Sequence, residues 1–93
     1  MPTFMLSMNW TDQGVRGMKD GPKRAQAARN LGKEVGVEIK HHYLASGDSD
    51  LVAFVDAPNG NNVAKFALAI GSLGNVCSRT ARAWSAEEYI APD

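Results

Sequence analysis

Cysteine is nearly absent: Cys77 is the single thiol among 93 residues. One thiol cannot build an internal disulfide framework or a cysteine-cluster metal site. An excess of charge of either sign is also missing, since ten Lys and Arg balance ten Asp and Glu. That balance argues against the basic face a nucleic acid requires and against an anionic membrane surface as partner. No uninterrupted apolar run approaches the roughly 20 residues of a membrane span. The opening MPTFMLS has neither the basic start nor the long apolar stretch of a signal peptide. The cytoplasm is therefore the expected compartment. Several catalytic and binding signatures are missing too: Cys-x-x-Cys, a P-loop and His-Glu-x-x-His. Gly71-Ser72-Leu73-Gly74 follows an apolar helical pattern, so it reads as a helix end and not as a phosphate cradle.

The apolar fraction of 44% is enough to fold. The length fits one domain over residues 1–93. A chain of this size buries only about 60% of its unfolded surface, so its own core is marginal. Near-zero charge does nothing to keep copies apart, and self-association is expected.

Phe4 to Trp10 alternates Phe4, Leu6, Met8 and Trp10 with Met5, Ser7 and Asn9, the period of a strand. Thr11 can cap a short turn that Gly14 and Gly17 weaken. Asp20-Gly21-Pro22 reads as a capped helix start, and Gly36 as its stop. Between them Ala25, Ala28, Leu31 and Val35 form one apolar stripe. Val37 to Leu44 is a second strand, placing Val37, Ile39, His41 and Tyr43 on one face. After the turn cluster at 46–49, Asp50 to Ala57 is a third strand, apolar on both faces. Asn59 or Asn61 can cap a second helix with Val63, Phe66, Ala67 and Ile70 on its stripe and Gly74 as its stop. Asn75 to Trp84 is a fourth strand, and Ser85 with Glu88 is a capping box.

The order is βαββαβ. It predicts an α+β, ferredoxin-like sandwich: a four-stranded antiparallel sheet with two helices on one face. The third strand, DLVAFVDA, has one aromatic and no basic residue, so it is not the RNA-binding strand of such a fold. The strands expected at the sheet centre, the first and third, carry apolar residues on both faces. An uncovered apolar sheet is an interface or a liability, and a homodimer packing sheet against sheet is expected.

Four stretches, in order, carry a family resemblance: MPTF-x-L, NWTDQG at 9–14, Gly47-Asp48-Ser49-Asp50-Leu51-Val52, and GNV…T-x-R-A over 74–83. Lys19-Asp20-x-Pro22-x-Arg24 and Ala57-Pro58-Asn59 fit as well. The sequence resembles the GYD domain family over essentially its whole length. These are small, mostly bacterial proteins of undetermined function. The resemblance implies a dimeric α/β barrel, beside stress-responsive barrel proteins and cofactor-independent monooxygenases. Gly47 and Asp50 match the motif that names the family, and Ser49 stands at its tyrosine position. As a turn device, Gly47 can supply a positive φ and Asp50 can accept from nearby amides.

The chemically capable residues are few. His41 and His42 are adjacent on a strand, diverge to opposite faces, and so cannot chelate one metal within a chain. One of them should face away from the helices, as a base or a pH-sensitive contact. Arg82 shares a face with Thr80 and Ser78 and can hold a carboxylate bidentately, or pair with Asp50 or Asp56. Asp50 invites an acid–base reading or a capping one. Asn9 and Trp10 end the first strand, and some barrel relatives use Asn, Trp and His around a planar ligand. Trp10 and Trp84 are otherwise core or interface aromatics. Cys77 is expected to be a buried, inert thiol. No cofactor and no metal are expected. The function expected is ligand or partner binding between the sheets of a homo-oligomer, with a small apolar or anionic ligand. The alternatives are a monooxygenase- or isomerase-like enzyme using a histidine and Arg82, and a purely structural or regulatory interaction module.

Overall fold

The computed structural model describes residues 1–90. Strand β1 spans Thr3–Trp10, helix α1 Asp12–Arg16, and a 3₁₀ turn Met18–Asp20 leads into helix α2, Gly21–Glu34. Strands β2 (Glu38–Leu44) and β3 (Leu51–Asp56) follow, then helix α3 (Gly60–Ser72), strand β4 (Val76–Ala83) and a short helix α4 (Ala86–Ile90). The sheet order is β2-β3-β1-β4, and all neighbours are antiparallel. This is the expected ferredoxin-like α+β arrangement, with β1 and β3 at its centre. Among the described residues no helix is long and apolar enough to cross a membrane.

Local signals explain most boundaries. The Thr11 hydroxyl accepts from the Gly14 amide at 3.1 Å and caps α1. Asn59 accepts from the amides of Asn61 and Asn62 and caps α3. Gly36 (φ 78°) and Gly74 (φ 82°) follow the last turns of α2 and α3, in the left-handed region that other residues avoid. The helix start at Asp20 differs from expectation. Its side chain makes no capping bond, because the preceding 3₁₀ turn delivers the chain to α2 directly. Gly47 also differs: its φ is not positive and nothing crowds its Cβ position, so the 46–49 turn does not depend on glycine geometry.

The core lies between the sheet and the helices. Phe4, Leu6 and Met8 of β1 meet Ala53 and Val55 of β3, with Val63 and Phe66 of α3 above them. Gly32 lets α2 settle onto the chain at Val37 and the Phe66 ring. The Asn62 amide donates to the Val35 carbonyl at 2.8 Å and ties the start of α3 to the end of α2.

Strand β2 departs from simple alternation. Ile39 pairs with Val55, but His41 pairs with Phe54, so Lys40 is bulged out of the ladder. The bulge keeps Ile39 on the helix side and sends His42 and Leu44 there too, opposite Ala53 and Leu51. His41 and Tyr43 therefore face away from the helices. Their rings stack with centroids 6.2 Å apart.

Candidate functional site

The structure distributes the chemically capable residues over four places. The first is a joint at the end of the sheet. The Asp50 carboxylate accepts the Trp10 amide at 2.9 Å and lies 3.5 Å from the Asn9 side-chain amide, which also donates to the Asp48 carbonyl at 2.9 Å. Arg79 reaches the Asn9 oxygen at 3.4 Å and the Ser49 hydroxyl at 3.3 Å. Just beyond, the Thr11 hydroxyl donates to the Gly74 carbonyl at 2.5 Å, and Gln13 donates to Leu73 and Asn75 at 2.9 Å each. The backbone carbonyl of Asn75 approaches Gly14 so closely that a Cβ there would overlap it. NWTDQG, the 47–52 turn and GNV thus touch one another. Asp50 is placed here as a backbone acceptor, and no histidine stands beside it as an acid–base partner. The partners of Arg79 lie 70 residues away at Asn9 and 30 at Ser49, so nothing beside it in the chain marks it as part of this joint.

The second place is the far edge of the sheet. Arg82 lies on the helix side opposite Phe4. Its guanidinium sits 5.6 Å from the centre of the Phe4 ring and 4.7 Å from that of Trp84. It donates to the Thr3 carbonyl at 2.9 Å and to the Ala83 carbonyl, and it pairs with Glu88 at 3.6 Å. The acid beside Arg82 is thus Glu88, and not Asp50 or Asp56. Asp56 accepts instead from the Thr3 hydroxyl at 2.9 Å. Glu88 also accepts the Ser85 amide at 2.9 Å, and the Ser85 hydroxyl takes the Glu88 amide at 3.2 Å, closing the capping box. The Ser85 amide first, and Arg82 after it, holds the Glu88 carboxyl below the ordinary carboxylate range. Arg82 is on β4 and both histidines are on β2, at opposite edges, so they do not converge within one chain.

The third place is a cavity of about 240 Å³ under the helices. Leu6, Met8 and Ala53 form its floor, and Phe66 and Ile70 one wall. Trp10 and His42 line it, with Arg24, Arg29 and Asn75. It lies on the other side of the sheet from the face at which a second sheet would close a barrel.

That other face is open. Across the four strands it presents His41, Phe54, Met5 and Ala81 in one row and Tyr43, Val52, Ser7 and Arg79 in the next. Met5, Val52 and Phe54 are part-exposed. Cys77, opposite Asn9, is exposed there and is not the buried thiol expected, because β4 is an edge strand with no helix on this side. Among the described residues no three His, Cys, Asp or Glu groups are placed to share a metal ion.

A family model described as GYD domain matches residues 4–91. A protein of Thermus thermophilus named glutamine synthetase and cystathionine beta-lyase binding protein is 30% identical over 92 residues, covering 98% of this chain and 97% of that protein. Among solved structures, a feast or famine regulatory protein from M. tuberculosis, complexed with L-methionine, matches with a TM-score of 0.70 at 14% identity. All of this chain is covered, and it spans 56% of that one. At that identity the likeness is one of fold.

Proposed function

The chain belongs to the GYD domain family, and from that premise we propose that it is a non-catalytic binding protein, a homodimer closed through the open face of its sheet that docks onto a soluble metabolic enzyme. The observation that carries this reading is the open face itself. Its centre is apolar, with Met5, Val52 and Phe54 on the two inner strands. Its rim is polar, with His41 and Tyr43 on one edge and Arg79 on the other. That is the anatomy of an interface. Four strands about 4.8 Å apart and eight residues at about 3.4 Å make a face of roughly 500 Å². A standard contact takes about 800 Å² per partner, so this face supplies much of one. A second copy suits it because the chain has no net charge to repel its own kind. The relative named for binding two enzymes, similar along its whole length, supports a protein partner. The dispersal of the histidines and Arg82 to opposite edges favours binding over the monooxygenase- or isomerase-like alternative.

Sedimentation at micromolar concentration should give a dimer, and Phe54→Asp a folded monomer. Surface-immobilised protein should bind purified glutamine synthetase or cystathionine beta-lyase saturably. A wild-type monomer overturns the dimer. Binding of neither enzyme overturns the partner class.

A further inference from the structure

We propose that the cavity between α2, α3 and the sheet is a binding site for a small apolar carboxylate, separate from the open face. The space follows from the sequence of α2. The helices run antiparallel, tied where Asn62 bonds Val35 and where Gly32 meets Phe66. At the other end, Gly21 and Leu73 are both on the cavity wall. There α2 turns Ala25 and Ala28 toward the sheet, where longer side chains would fill the gap. About 240 Å³ is left. At the roughly 30 Å³ a water occupies in the liquid, that is room for about eight heavy atoms, the carbon chain of an eight-carbon acid whose two carboxylate oxygens lie against the arginines. The floor and walls are aliphatic and aromatic, so the body of the occupant is apolar.

Charge fixes its other end. The ionisable residues lining the cavity are Arg24, Arg29 and His42, and no acidic residue joins them. Among the described residues neither arginine takes part in an ion pair. Arg24 is part-buried and is held in place: one guanidinium nitrogen donates to the Gly14 carbonyl at 2.7 Å, and the group lies over Gly17, where a Cβ would displace it. A guanidinium has five N–H donors, so a fork remains for a ligand. A half-desolvated cation beside an apolar chamber selects a carboxylate over a neutral or cationic head group.

Octanoate is the probe, with octanol and octylamine as comparators. Trp10 lines the cavity and Trp84 does not, so Trp84→Phe leaves one reporter whose fluorescence should change saturably with octanoate. Octanoate should also raise the melting temperature. Octanol should bind at least about tenfold more weakly, the worth of one charge-assisted hydrogen bond, and octylamine more weakly still. Arg24→Gln with Arg29→Gln should cost octanoate a similar factor and leave octanol unchanged. Ala28→Leu, or Ala25→Leu should the first not fold, should abolish binding by filling the chamber. Equal affinity for octanol and octanoate overturns the carboxylate assignment. Octanoate binding that survives the filled cavity, or no binding up to 10-millimolar order, overturns the site.

Discussion

Arg82 shows how far a side chain's role depends on residues that its own strand does not contain. On β4 it stands among Thr80 and Ser78, an arrangement that suits anion capture. Its actual surroundings are Phe4 from across the sheet and Trp84 and Glu88 from further along the chain. Two rings, two carbonyls and one carboxylate occupy the guanidinium. Glu88 carries the testable consequence. Its carboxyl is held low by the Ser85 amide and then by Arg82. A depressed carboxylate stabilises the fold above its unfolded-state value, and the contribution is lost as pH falls through the lowered folded value. The C-terminal turn should therefore stay closed to a lower pH than an unpaired carboxylate would allow. An NMR titration of the Glu88 carboxyl, against a peptide covering residues 84–90, should show the lower midpoint in the protein. Equal midpoints would contradict it. Asp50 is the converse case. A carboxylate at a strand start could be read from the sequence as a backbone acceptor, and 2.9 Å to the Trp10 amide is that arrangement.

Among the elements, the two helices, four strands and their stops were legible because each carries its own period and punctuation. Gly36 and Gly74 both take positive φ at helix ends, and Ser85 with Glu88 closes its box. The facing of the side chains along strand β2 was not legible. Period-two alternation assumes that every residue advances the pleat, and a bulge adds one that does not. Lys40 hides in VEIKHHYL because a polar residue beside two histidines gives no sign of being unpaired. The cavity was hidden for a related reason: Ala25 and Ala28 read as a packing stripe, and only the open volume that they line shows that they do not fill the gap. Removing Lys40 should test the bulge. Without Lys40, Ile39, His41, His42, Tyr43 and Leu44 face Val55, Phe54, Ala53, Val52 and Leu51 in unbroken order, so each side chain keeps its side of the sheet. Thermal unfolding of the deletion variant should therefore stay within a few degrees of the wild type, as should Lys40→Ala. A large loss of stability on deletion would show that Lys40 is not the extra residue in the ladder.

For the molecule as a whole, the sheet order β2-β3-β1-β4 sets an unusual dependence on the last strand. Strand β1 is central only because β4 covers its second edge, pairing Thr3 with Ala83 and Trp10 with Val76. A chain ending at Ser72 keeps both long helices and three strands, yet leaves β1 as a bare edge of eight residues. Such edges recruit other chains. The truncated chain should lose its cooperative melt and elute as aggregate in gel filtration. A monomeric, cooperatively unfolding 1–72 fragment would show that the first three strands suffice.

The same pairing gives the protein a clock. Ribosomes make a chain from its N-terminal side at roughly 5–20 residues per second. Until Asp56 is made the first strand has no neighbour, and from there to Ala83 it has one in β3 and none on its other side. The partner it lacks is completed only at Ala83. Until then the apolar rows on β1 and β3 belong to an unfinished sheet, exposed in a crowded cell for several seconds. Closing the loop between the first and last strands is a long-range step, the kind that slows folding. Newly made copies are therefore most at risk during synthesis, before either the sheet or any second copy can shield them.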